Sequence, residues 1–141
     1  MTRPVRMQHH LRVARPVTDL ARSVAMYCAG LGFQVLGSFE DHEGFDGVML
    51  GSPGMQYHFE FTCLQTHAVR PTPTVDDLTV FYIADEAAWQ AACANMLDAG
   101  FTQVPSFNPY WDLRGRTFED ADGYRTVLQN ASWTVAAEAA S

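Results

Sequence analysis

One pattern occurs twice in this chain of 141 residues. Residues 13–33 read VARPVTDLARSVAMYCAGLGF, and residues 79–101 read TVFYIADEAAWQAACANMLDAGF. Each is an apolar strand, an Asp, an amphipathic stretch and a closing Gly-Phe. The offset is 66 from Val17 to Ile83 and 68 from Phe33 to Phe101. Repeats of that length are too long for a solenoid unit, and two copies are too few. They point to a duplicated half-domain whose halves close around one shared cavity, where the function is expected.

Local signals fill in each half. Residues 11–17 read as a strand, with Pro16 restricting its pairing near the end. Thr18 or Asp19 caps a helix. Leu20, Val24, Tyr27 and Leu31 share a face of that helix, and Gly30 and Gly32 end it. Strands follow at 33–39 and 45–50, around the polar turn 40–44, and at 55–63. Residues 66–76, with Pro71 and Pro73, read as a linker. The second half repeats the order. It has a strand at 78–84 and a helix capped by Asp85, with Trp89, Cys93, Met96 and Leu97 on one face. A strand at 101–105, a loop at 106–114 and a hairpin of 117–119 with 124–130 complete it. The expected fold is α+β: duplicated β-α-β-β-β modules forming an eight-stranded barrel around one cavity, with the helices outside. The single domain divides into a module at 10–65, the linker 66–76, a module at 77–132 and a frayed tail at 133–141.

Composition removes several classes of partner. Nine Lys and Arg stand against 16 Asp and Glu, a net charge of −7. A phosphate backbone would need a basic face, so no nucleic acid is expected. The three cysteines are odd in number and form no CxxC. Cys28 and Cys93 fall in helical stretches, which predicts buried free thiols and a reducing compartment. No apolar run is long enough to span a membrane, and the first residues have no apolar signal core. The expected location is the cytoplasm.

Particular motifs narrow the fold. VTDLARSVAMYCAGLGF at 17–33, YHFEFT at 57–62 and FEDADGYRTVLQN at 118–130 resemble the vicinal oxygen chelate superfamily of glyoxalases, bleomycin-resistance proteins and extradiol dioxygenases. LRVARP at 11–16, FDGVMLG at 45–51, NPYW at 108–111 and DGYRTV at 123–128 are most similar to its YycE-type branch. The resemblance implies a homodimer and a small-molecule ligand. In metal-using members it also implies four side chains around a divalent ion. Those four positions fall here on Arg12, Glu60, Leu78 and Val127, of which only Glu60 can bind a metal. The expected cofactor is therefore none, with a non-standard divalent metal as the alternative.

Strand parity puts His58, Glu60 and Thr62 on one face. A carboxylate beside an imidazole can bind a metal or act as an acid–base pair. Alternatively Glu60 is a buried acid neutralised by Arg12, whose guanidinium stands where the metal would be. Breaking such a pair would cost about 3–5 kcal/mol if it is buried. His58 is a ligand or base, or a hydrogen-bonded wall residue. His9 and His10 sit in a loose arm and point opposite ways. Tyr82 has the parity of Leu78 and should share a cavity wall with His58. Tyr110 and Trp111 either plug the core edge or cover a pocket mouth.

Two functions follow. The first is a metal-independent small-molecule binding protein using Arg12, Tyr82, Asn108, Tyr110, Trp111 and Gln129. The second is a glyoxalase-like isomerase or lyase with Glu60 and His58 as catalytic residues.

Overall fold

The computed structural model describes residues 3–135. The first module contains β1 (Leu11–Pro16), α1 (Leu20–Leu31), β2 (Gln34–His42), β3 (Phe45–Gly51) and β4 (Tyr57–Leu64). The second contains β5 (Leu78–Tyr82), α2 (Glu86–Asp98), β6 (Thr102–Val104), α3 (Tyr110–Leu113), β7 (Gly115–Glu119) and β8 (Arg125–Gln129). The β-α-β-β-β order holds in both, with the short α3 inserted before β7 in the second. The eight strands form two four-stranded sheets, ordered β1-β4-β3-β2 and β5-β8-β7-β6. In each sheet the first strand pairs parallel with the last, as β1 with β4 and β5 with β8. The other pairings are antiparallel. Most of the expected frayed tail, residues 136–141, lies outside the described residues.

The repeated Asp does the same work twice. Asp19 accepts from the amide of Arg22, and Asp85 from that of Ala88, each satisfying a free donor of the first helical turn. Gly32 ends α1 with φ of 68°, a left-handed conformation that favours glycine. Gly30 does not end the helix. It is buried inside α1, where an added Cβ would lie 2.9 Å from Met96 Sδ and from a Phe101 ring atom. Its lack of a side chain lets α1 and α2 approach. Helix-end and helix-contact glycines are indistinguishable in a GLG run, which is why the sequence misassigns this one.

One face of each sheet packs under its helix. Tyr27 of α1 meets Phe61 of β4 edge-on at 4.9 Å and Phe101 at 5.2 Å. Trp89 of α2 donates through its indole to the Leu128 carbonyl at 2.8 Å. The buried stripe of α1 is Ser23, Met26, Tyr27 and Gly30, one step round from the expected Leu20–Leu31 face. Tyr27 also ties the modules together, donating to Asp120 at 2.7 Å. Burial and the neighbouring Asp120 hold its phenol neutral far above the ordinary range. Cys93 is buried as expected, whereas Cys28 is only partly so; all three thiols are free. Among the described residues no helix is long and apolar enough to cross a membrane.

Candidate functional site

Because side chains alternate along a strand, the residues between the helix-packed ones occupy the opposite face of each sheet. On the first sheet these are Arg12, His58 and Glu60. The register sets Arg12 opposite His58, Ala14 opposite Glu60 and Met49 opposite Glu60 on the other side. Ala14 leaves room for the Arg12 side chain to reach forward. Its Nη1 donates to Glu60 Oε2 at 3.1 Å, and its Nε donates to His58 Nε2 at 2.9 Å. The expected ion pair is present. Glu60 is 13% exposed and Arg12 is 47% exposed. Water therefore screens the guanidinium, and the pair contributes about 1 kcal/mol or less, not the larger figure for a buried pair.

These bonds fix the protonation pattern. Arginine only donates, so His58 Nε2 must accept. The proton of a neutral His58 is then on Nδ1, which faces His10 Nε2 within hydrogen-bond distance. Partial burial, the Arg12 charge and His10 all lower the His58 pKa from its ordinary value. The imidazole is neutral at pH 7, and both its nitrogens are engaged. His58 is thus hydrogen-bonded on both sides within this face, to Arg12 and to His10. His10 was the residue that sequence reasoning missed. The available signal was spacing: His10 stands two residues before Arg12, just ahead of β1.

The donor set does not suit a divalent ion. Of the four positions that the resemblance implies, Arg12 brings a cation, which is bonded to Glu60. Leu78 and Val127 offer no donor atoms. Among the described residues no group of three or more His, Cys, Asp and Glu side chains is placed to hold a metal.

The second sheet carries the other candidates, and its equivalent face is closed. Val127 and Thr117 are buried, and Gln129 is 4% exposed. The loop expected at 106–114 contains the short helix α3, which packs on β7. Asn108 Oδ1 accepts from the amide of Tyr110, so its side chain serves the helix start. Pro109 follows it with a helical φ of −60°. Asn-Pro is itself a helix-start signal, although the run is too short to show periodicity. Trp111 is partly buried and meets Tyr110 edge-on, while Tyr110 stays 48% exposed. Within α3, Trp111 is thus the partly buried aromatic and Tyr110 the exposed one. Ser106 also hydrogen-bonds Thr117, tying the loop down.

Tyr82 and His58, expected on one wall, belong to different sheets. Tyr82 pairs with Gln129 and lines a crevice of about 310 Å³ with Leu11 and Tyr57. A second ion pair had no sequence signal beyond composition: Arg125 Nε lies 3.0 Å from Glu119 Oε2. The structure brings Arg12, His58 and Glu60 together, and leaves Asn108, Tyr110, Trp111 and Gln129 on the other module.

Comparison with known proteins agrees with this architecture. The YycE-like N-terminal domain matches residues 11–62, and the YycE-like C-terminal domain matches residues 76–130. The uncharacterized protein YycE of Bacillus subtilis (strain 168) is 39% identical over 121 residues, 86% of this chain and 87% of that protein. A 2.0 Å crystal structure of a YycE protein of unknown function from Bacillus subtilis superimposes with a TM-score of 0.84. Its identity is 37%, over 89% of this chain and 92% of that one. The fosfomycin resistance protein FosX from Mesorhizobium loti shares the fold, with a TM-score of 0.68 and 15% identity over 98% of this chain and all of its own. TnmS3, an antibiotic binding protein from Streptomyces sp. CB03234, shares it at a TM-score of 0.61 and 18% identity, over 89% and 98%. With its two modules matched and its strand order accounted for, the chain belongs to the YycE-like family of the vicinal oxygen chelate superfamily.

Proposed function

We propose that the protein binds a small organic molecule against the helix-free face of its first module, without a divalent metal. The observation that carries this reading is the fork of Arg12 onto Glu60 and His58. It offers a ligand a fixed donor and acceptor side by side, in place of a Lewis acid. Partial exposure of Arg12 leaves that fork accessible. The antibiotic binding protein TnmS3 gives a precedent for binding by this fold. Acid–base catalysis by His58 and Glu60 is the weaker reading, because Arg12 occupies one donor-accepting atom of each.

The working unit in this proposal is a homodimer in the cytoplasm. β1, β2, β5 and β6 are all sheet edges, and pairing one of them with a second copy satisfies its free backbone groups. Sedimentation at micromolar concentration should give the dimer mass; a stable monomer would contradict it.

The binding test is a thermal-shift screen of small aromatic antibiotics, with hits measured by calorimetry. Hits should bind the wild type and lose most of their affinity in the Arg12→Met/Glu60→Gln double variant. Equal affinity for both proteins would overturn the proposed site.

A further inference from the structure

A second arginine stands apart from the fork, at the junction of the modules. Arg15 lies on the helix-packed face of β1, three residues after Arg12 and on the opposite side of the strand. Its guanidinium carbon sits 5.2 Å from the Phe59 ring centre and 4.7 Å from that of Tyr124. Nη2 donates to Thr79 Oγ1 of the other sheet at 2.7 Å. Nη1 is buried and has no hydrogen-bond partner. Arg15 is in neither of the ion pairs among the described residues. A buried guanidinium N–H without an acceptor is costly, and it calls for a bound water or anion.

The surroundings supply room for one. Arg15 lines a crevice of about 530 Å³ together with Arg70, Thr72 and Tyr124. Asp77 also lines it, and the amide and hydroxyl of Thr74 donate to its carboxylate and keep it ionised, so two arginines stand against one carboxylate and the crevice keeps a net positive charge. The crevice shares Pro16, Val69 and Arg70 with an adjoining cavity of about 380 Å³, whose wall includes Val17, Phe45 and Leu64. A cationic crevice therefore adjoins an apolar one. A planar guanidinium matches a carboxylate in geometry.

We infer that this junction is a second binding site, which takes an organic carboxylate with its anionic group beside Arg15 and its apolar body in the adjoining cavity. It uses none of the residues of the Arg12 fork, so it stands or falls independently of the function proposed above. Binding there would bridge β1, the linker and β5, and so would stiffen the junction of the two modules.

Heteronuclear NMR titrations test it, with phenylacetate, acetate and inorganic phosphate as separate probes. Phenylacetate should give saturable shifts at the Arg15 Nε–H and at Thr79 and Val69, with an affinity about tenfold above acetate, as expected for burying part of a ring. Arg15→Gln should abolish these shifts. Val69→Trp, on the exposed linker, should block the apolar cavity and abolish them without touching the charge. Glu60→Gln should leave them intact. Scattered, non-saturating shifts would mean only an ionic-strength effect, with water satisfying Arg15, and would overturn the inference. So would phosphate or acetate binding as tightly as phenylacetate, or unchanged binding in both Arg15→Gln and Val69→Trp.

Discussion

At matching register, the face turned away from the helices carries Arg12, His58 and Glu60 in the first module and Leu78, Arg125 and Val127 in the second. In the first, the charges face each other across β1 and β4 and remain partly open to water. In the second, Arg125 is held by Glu119 on β7, while α3 packs on that same strand and Val127 is buried. The same backbone pairing thus supports a polar, accessible face in one half and a filled one in the other. The difference teaches that duplication fixes the frame, whereas a few side chains and one loop decide which half keeps an open polar face.

Exchanging the two faces' residues should break this comparison most sharply. Val127→Glu would place a carboxylate without a free cation in a closed face, and should cost about 3 kcal/mol or more. The reciprocal Glu60→Val leaves only a half-exposed Arg12 unpaired, and should cost about 1 kcal/mol. Urea unfolding of the two variants compares them directly, and equal losses would mean that the faces are equivalent.

Opening the filled face is the next largest change. Trp111→Ala should destabilise by about 2 kcal/mol, below the range for a fully buried Trp. Hydrogen exchange should accelerate in β7 and β8 and leave β3 and β4 unchanged. Acceleration throughout would show that α3 supports the whole fold rather than one face.

The coupling within the open face is smaller. In a double-mutant cycle, Arg12→Met and Glu60→Gln should interact by about 0.5–1 kcal/mol, so that the double variant recovers part of the single losses. Strict additivity would mean that the two groups do not act as a pair.

The smallest expected effect is on pH dependence. The His58 pKa is lowered in the folded protein, so the unfolded chain binds more protons below about pH 6.5. Its contribution is therefore complete above that pH and is lost as the pH falls toward the folded value. His58→Gln should flatten this acid limb while leaving stability at pH 8 nearly unchanged. An unaltered limb would show that another group titrates there.

Much of this arrangement was legible in the residues. The two capping aspartates and the order of elements along the chain follow from short-range pattern, which acts locally, whereas the Arg12–Glu60 pair, 48 residues apart, follows from the ligand positions that the resemblance implies. Gly30 was misread because a helix contact depends on what the neighbouring helix brings, here Met96. The partner of Arg125 and the stacking of Arg15 depend on which strands adjoin, and pattern within one strand carries no such information. The degree of exposure was equally hidden, which is why the fork's energy had been expected to be larger. α3 hid because a four-residue helix shows no period.

The claim at the centre is that Arg12 takes the place of a metal beside Glu60, and metal retention measures it most directly. The purified protein would be incubated with zinc, nickel, manganese or iron(II), desalted, and assayed for metal per chain, alongside Glu60→Gln. Substoichiometric metal, equal in the two proteins, is the predicted result. One equivalent per chain that survives desalting and disappears in Glu60→Gln would contradict it.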